Sequence, residues 1–349
     1  MEHLYALIMA GGGGERFWPL SHGPRPKQFL SPFEPRSLLQ GSAERIVRLL
    51  PWERILVATR GEYRSLVEEQ LPHLPRENLL LEPCGRDTAP CLGLASLALE
   101  RRDPEALLLA LPADHHIPDA EPFLQCLRIA LQVMEGDDRS VVTFGIKPTR
   151  PETGYGYLEL GPPLSQAGAF QVLRFTEKPD PDQARWFLQE GRYLWNSGIF
   201  LFKNRMLQQL FAKHLPEHWA GFCRIRERWG DENVLVEEFT QFPKISIDYG
   251  VLEKAEDIVA IEATFPWDDL GAWDALTRIL PPGEGGNVVV GRHIGLETED
   301  CIIYSEGKPV GTIGIKGLVV VEAEGGVLVC PKERVQDVKQ LVKLINSER

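Results

Sequence analysis

Residues 4–29 read Leu-Tyr-Ala-Leu-Ile-Met-Ala-Gly-Gly-Gly-Gly-Glu-Arg-Phe-Trp-Pro-Leu-Ser-His-Gly-Pro-Arg-Pro-Lys-Gln-Phe. An apolar run ends in four glycines, with an arginine at 16 and a lysine at 27. The run reads as a buried strand. Glycines reach positive φ and let backbone N–H groups approach an anion closely, because no Cβ intervenes. Arg16 and Lys27 add two cations to the same anion. Gly11, Gly12, Gly13 and Gly14 therefore read as a loop for the phosphates of a nucleoside triphosphate.

Two common phosphate loops do not fit. A Walker A loop needs G-x-x-x-x-G-K-[ST], whereas Lys27 stands between Pro26 and Gln28. A dinucleotide fingerprint needs G-x-G-x-x-G, and its third glycine falls on Arg16 or Phe17. A plain flexible turn would need none of Arg16, Pro19, Ser21, Pro26 and Lys27 at these spacings.

The chain has 349 residues, 43% hydrophobic and 25% charged, which suits a large globular domain plus a smaller one. No run approaches the ~20 apolar residues of a membrane span, and no secretory leader is legible, so a cytoplasmic protein without a membrane partner is expected. Six scattered cysteines without C-x-x-C read as buried small hydrophobes. A net charge of −12 argues against nucleic acid as a partner. An anionic substrate must then be drawn by local cations or a divalent metal.

Through residue 145, short apolar runs alternate with amphipathic stretches. Strands are expected at Leu4–Ala10, Ile55–Thr59, Asn78–Leu81, Ala106–Leu111 and Val141–Gly145, with helices between them. This rhythm predicts an α/β fold with a largely parallel sheet covered by helices. Ligands bind such sheets beyond the carboxyl ends of the strands. Both the glycine loop and Pro112-Ala113-Asp114-His115 stand at such ends. From about 285 the texture changes to short β-rich runs separated by glycines, then a helix with Val335, Val338, Leu341, Val342 and Ile345 on one side.

Further segments carry candidate chemistry. They are Glu82-Pro-Cys-Gly-Arg-Asp-Thr-Ala-Pro90, the turn through Gly154, Phe175-Thr-Glu-Lys-Pro-Asp180, Leu194-Trp-Asn-Ser-Gly-Ile-Phe200, Ser246-Ile-Asp-Tyr-Gly250 and Trp267-Asp-Asp-Leu-Gly-Ala-Trp273. His115 and His116 are adjacent, and neighbours on an extended chain point opposite ways, which argues against a shared transition metal.

Taken in order, these motifs resemble those of the sugar-1-phosphate nucleotidyltransferases, and Pro26-Lys-Gln-Phe29 resembles the mannose-1-phosphate guanylyltransferase branch. The resemblance covers nearly the whole chain. It implies a Rossmann-like, GT-A-like mixed sheet over residues 1–280. A small left-handed β-helix-like domain ending in a helix would occupy 281–349, the alternative there being a small β-sandwich. It also implies a short form without the isomerase domain of longer relatives.

The implied reaction joins GTP and mannose 1-phosphate into GDP-mannose and pyrophosphate. Arg16, Lys27, Asp114 and Asp269 would be catalytic, with Asp114 and Asp269 holding Mg²⁺. Arg86, Asp87 and Thr88 would meet the nucleotide together with the glycines. Gly154, Glu177, Lys178, Asn196 and Asp248 would meet the sugar phosphate, Asp248 being alternatively a helix cap. Asp87 stands where the family usually has Asn, and reads either as an acceptor near guanine or as a helix cap. Asp268 is left open between supporting the metal ligand and facing solvent. Phe17 and His22 are smaller departures, from Leu and Arg. A homodimer through the C-terminal domain is a possible assembly, since short exposed β-edges invite pairing. The rival readings are a nucleotidyltransferase for another nucleotide and hexose phosphate, and a non-catalytic paralogue of the fold.

Overall fold

A computed structural model of the chain describes residues 2–136 and 141–347. The chain divides into two compact units: 1–11, 42–113 and 117–267 form the first, and 12–41, 114–116 and 268–349 the second.

The first unit is built on a nine-stranded sheet. Its strands are β1 (Leu4–Met9), β2 (Ile55–Arg60), β3 (Leu79–Glu82), β4 (Leu107–Pro112), β5 (Val141–Ile146), β6 (Tyr157–Pro163), β7 (Ala169–Thr176), β8 (Tyr193–Lys203) and β9 (Ile258–Glu262). They lie in the order β3-β2-β1-β4-β8-β5-β9-β7-β6. The helices are α1 (Leu38–Val47), α2 (Arg64–Gln70), α3 (Thr88–Glu100), α4 (Ala120–Gly136), α5 (Pro181–Glu190), α6 (Asn204–His214), α7 (Pro216–Glu227), α8 (Glu232–Gln241), α9 (Ile247–Gly250) and α10 (Leu276–Ile279). α1 begins in the second unit and α10 belongs to it.

The sheet is mixed, as the resemblance implies, and not largely parallel as the rhythm of the first 145 residues predicts, because β6, β7 and β8 pair antiparallel. β3, β2, β1 and β4 run parallel, which is the rhythm legible in the first third of the chain. β8 then enters antiparallel between β4 and β5. Leu4, Ala6, Leu7 and Ile8 of β1 are fully buried, which is why that strand is apolar throughout instead of alternating. α3 is buried from Ala89 to Leu99, so its sequence is apolar all round. α5 starts with a capping box, in which Asp180 accepts from the Asp182 and Gln183 amides. That cap, worth about 1 kcal/mol, anchors the chain just after Lys178.

The second unit holds β10 (Val288–Val290), β11 (His293–Leu296), β12 (Ile302–Ser305), β13 (Val310–Ile313), β14 (Leu318–Ala323) and β15 (Gly326–Pro331), then α11 (Val338–Ser347). β10, β12 and β14 stack in parallel, and β11 pairs in parallel with β13. Successive turns of chain thus lie on one another as coils, and β15 closes the stack antiparallel to β14. Asn287 plugs the first turn: its amide donates to Glu284 O and Thr298 O, and its oxygen accepts from Cys301 N. The coil and the glycine-loop segment share one core, in which Phe17, Leu20, Trp273, Ile302, Val319 and Val338 are buried together. Among the described residues no helix is long and apolar enough to cross a membrane.

Candidate active site

Gly14 makes the tightest turn of the glycine loop. Its φ is +62°, and a Cβ there would stand 2.2 Å from the Lys27 Cβ, so both conformation and space require glycine. The Ser21 hydroxyl donates to Gly14 O at 2.6 Å and ties the loop down. Arg16 Nη1 donates to Gly271 O at 3.2 Å.

Lys27 is buried. Its Nζ donates to Asp114 Oδ2 at 2.8 Å and to the Asp269 carbonyl at 2.6 Å. An ammonium held inside a protein needs such compensation, and here one carboxylate and one backbone carbonyl supply it. Burial pushes the Asp114 carboxyl up, but the Lys27 ammonium, with His115, outweighs this and holds it below the usual carboxylate range. Asp114 is therefore ionised near neutrality.

The segments carrying Asp114 and Asp269 are paired by backbone. His116 and Asp268 form an antiparallel bridge. Asp268 accepts from Leu270 N and from the Arg278 guanidinium. It braces the turn in which buried Leu270 takes a φ of +51°, so the question left open for Asp268 resolves as support for the turn after Asp269. Asp269 Oδ1 accepts from Gly271 N at 3.1 Å. Lys27 thus ties the Asp114 carboxylate to the backbone of Asp269. Two aspartates as ligands would suit a hard divalent cation that takes its remaining ligands from phosphate and water. Among the described residues no group of three or more His, Cys, Asp or Glu could hold a metal by itself.

The sugar-side motifs meet in the first unit. Asn196 Nδ2 donates to Asp248 Oδ1 at 2.9 Å, and Thr143 Oγ1 donates to Asn196 Oδ1 at 3.0 Å. Glu177 Oε1 pairs with Lys178 Nζ at 3.0 Å. Its other oxygen is buried without a hydrogen-bond partner among the described residues. Lys178 has a φ of +47°, a strained conformation held by Lys178 N donating to Tyr155 O. Burial, and then the neighbouring Glu177 carboxylate, push Asp248 up to about 7. Ser246 caps α9, so Asp248 is free of that duty and bonds Asn196 instead. Gly154 N donates to Glu152, while Gly156 is the glycine packed against Glu177.

In the nucleotide segment, Asp87 caps α3 by accepting from Thr88 N at 2.9 Å, with its own φ at +72°. Thr88 Oγ1 accepts from Ile247 N, and the Arg86 guanidinium donates to Thr240 O. Asp87 therefore holds the segment's own turn, while Arg86 and Thr88 tie the segment to Thr240 and Ile247. Glu82 does not stand out in the sequence. It is 4% exposed at the end of β3, and a Cβ on Gly11 would stand 3.0 Å from its Oε2. Burial raises its carboxyl to about 7, against the pull of Arg60. An open cleft of 430 Å³ lies beside it, lined by Arg60, Glu62, Cys84, Leu235 and Val236 among others. The available signal was an acid closing an otherwise apolar strand run.

With this geometry in view, the comparisons with known proteins are specific. Residues 5–281 match the family described as nucleotidyl transferase, and 291–345 match the MannoseP isomerase/GMP-like beta-helix domain. A mannose-1-phosphate guanylyltransferase of Klebsiella pneumoniae is 39% identical, over 99% of this chain and 74% of that one. Mannose-1-phosphate guanylyltransferase ManC of Salmonella typhimurium is 40% identical over the same shares. A crystal structure from Thermus thermophilus, described as a mannose-1-phosphate geranyltransferase, superposes with a TM-score of 0.89 at 40% identity over 99% of both chains.

The chain belongs to the nucleotidyl transferase family and, within it, to the mannose-1-phosphate guanylyltransferases. Its C-terminal coil is the beta-helix domain of that group.

Proposed function

We propose that this chain transfers GMP from GTP to mannose 1-phosphate, giving GDP-mannose and pyrophosphate, with Mg²⁺ as the cofactor. The observation that carries the reading is Lys27, which follows the glycine loop in sequence and is buried and bonded at once to the Asp114 carboxylate and the Asp269 carbonyl. A phosphate oxygen of mannose 1-phosphate attacks the α-phosphorus, and the bond to the β-phosphate oxygen breaks. The sugar phosphate is largely dianionic near pH 7, so the step needs no general base.

Catalysis then rests on placing phosphates and neutralising their charge. Arg16, Lys27 and the backbone amides of Gly11–Gly14 supply this on the triphosphate. Lys178 supplies it on the sugar phosphate. The unpartnered oxygen of Glu177, with Asn196 and Asp248, accepts and donates hydrogen bonds at the hexose hydroxyls. Asp114 and Asp269 would hold Mg²⁺, which when bound draws charge from the α-phosphate. Glu82 is the group we assign to guanine, whose N1–H and N2–H₂ donors match a carboxylate. Cytoplasmic location and a homodimer belong to the same reading; Ile294, Leu296 and Ile313 give the coil an exposed apolar surface.

The test is a panel of each nucleoside triphosphate with each hexose 1-phosphate, in Mg²⁺, read by pyrophosphate release. GTP with mannose 1-phosphate should give the highest kcat/KM. A tenfold preference for UTP or dTTP would overturn the base assignment, and no release with any pair would overturn the reaction.

A further inference from the structure

The segment that follows Arg16, from Phe17 to Arg25, is gripped by the C-terminal coil through three unlike contacts. The first is a close approach of backbone. At the turn between β14 and β15, a Cβ on Gly325 would stand 2.3 Å from the Pro19 carbonyl oxygen, so backbone lies directly on backbone. Gly326 lies against the Trp18 ring in the same way, at 3.2 Å from a Cβ built there. The second is an ion pair: Arg25 Nη1 meets Glu306 Oε1 at 2.7 Å. The other oxygen of Glu306 accepts from Glu324 N at 3.0 Å, so one carboxylate joins the loop segment to the turn that carries Gly325.

The third contact is aromatic. Tyr304 of β12 lies 5.3 Å from Trp273, which lies 5.0 Å from Phe17, centroid to centroid. Trp273 Nε1 also donates to Trp18 O at 2.9 Å. The Phe17 ring stands 5.8 Å from Lys27 Nζ, so the chain of rings ends at one of the two loop cations. The other cation, Arg16, is the residue next to Phe17.

We infer that the C-terminal coil is a working part of the nucleotide site: Tyr304, Glu306 and Gly325 are positioning residues that hold Arg16 and Lys27 against the triphosphate. The inference rests on the proposed function. A glycine turn, an ion pair and a ring stack all converge on the one short segment next to Arg16. Side chains elsewhere on the coil, such as Val327 at 62% exposure, point to solvent.

The experiment compares Gly325→Ala, Glu306→Gln and, as a control, Val327→Thr in the full chain. Gly325→Ala must push Pro19 away, since the contacted atom is backbone and cannot swing aside. Glu306→Gln keeps shape and solubility if the first variant folds poorly. Steady-state kinetics with both substrates, GTP binding by calorimetry, and Tm are measured on each.

Positioning predicts a fall in kcat/KM for GTP on the order of 10-fold, within the 10²-fold that a 1 Å misplacement can cost. KM for GTP and its calorimetric Kd should rise, KM for mannose 1-phosphate should hold, and the control should match the unaltered chain. Unchanged kinetics in both variants would overturn the inference. So would a lower Tm with a smaller active fraction but unchanged GTP affinity, the mark of a purely structural contact. Inactivity of the unaltered chain would instead count against the proposed reaction.

Discussion

His116 and Asp268 exchange both backbone hydrogen bonds, His116 N to Asp268 O at 2.8 Å and Asp268 N to His116 O at 3.1 Å. The bridge joins two segments that are remote in sequence, and the Asp114 carboxylate and the Asp269 carbonyl beside it meet one lysine. If the two acids share one divalent ion, Asp114→Asn or Asp269→Asn should each slow turnover by on the order of 10³. The double variant should be scarcely worse than the worse single one, because both changes remove the same ion. Pyrophosphate release at saturating Mg²⁺ measures this, and multiplying losses would show that the carboxylates act apart.

The two lysines should separate kinetically. Lys27 is buried beside the glycine loop, while Lys178 is half-exposed beside Glu177. Lys27→Ala should mainly lower kcat. Lys178→Ala should raise KM for mannose 1-phosphate more than KM for GTP. The opposite pattern would exchange their roles.

Glu82 gives a pH prediction with a definite sign. Its folded carboxyl titrates at about 7, above the ordinary value of 4.5, because burial disfavours the charge. A raised carboxyl favours the folded state at low pH, and that contribution is lost as pH rises from about 4.5 through 7. Glu82→Gln should therefore be the more stable protein above pH 7, by at most on the order of 3 kcal/mol, and the difference should close toward pH 4. Denaturant melts across this range test it. Guanine needs the ionised form, so KM for GTP should fall as pH rises through 7 in the unaltered chain. In Glu82→Gln that dependence should flatten, and ITP, which lacks the N2 amine, should be less disfavoured. Equal losses for GTP and ITP would remove Glu82 from base recognition.

The coil's outer surface sets an assembly prediction. Ile294 and Leu296 on β11 and Ile313 on β13 are 71%, 63% and 74% exposed. Neighbouring apolar groups on paired strands are a common basis for self-association. Ile294→Asp with Ile313→Asp should shift sedimentation from dimer to monomer while leaving the fold intact. A chain that is monomeric before substitution would refute the proposed dimer.

Much of this was legible in the sequence, for physical reasons. β1 to β5 could be read because strands covered on both faces are apolar throughout, and α1 and α4 between them are amphipathic while α3 is a longer apolar run. β11 and β13 are hard to read from the sequence because each has only four residues and contains a glycine, Gly295 or Gly311, with apolar side chains turned outward. Lys27 and Asp114 stood out through motif spacing, yet their direct contact depends on a bridge formed by distant backbone. Glu82 reads as an ordinary acid until folding buries it. Residue chemistry alone could not give Asp268 a role distinct from that of Asp269, because what separates them is the Arg278 guanidinium on a later helix.

The second unit is stitched from three stretches, and its order of manufacture follows from that. Lys27 is separated from its partner Asp269 by 242 residues, and Arg16 from Gly271 by 255. At synthesis rates of about 5–20 residues per second, the glycine-loop segment waits on the order of 10–50 s after leaving the ribosome for the groups that fix it. Throughout that interval Phe17, Trp18 and Leu20 lack the indole and valines that later enclose them. The first part of the site to be made is thus among the last to settle. A nascent chain halted before residue 268 would present this segment, with its apolar side chains bare, to whatever binds unfinished proteins.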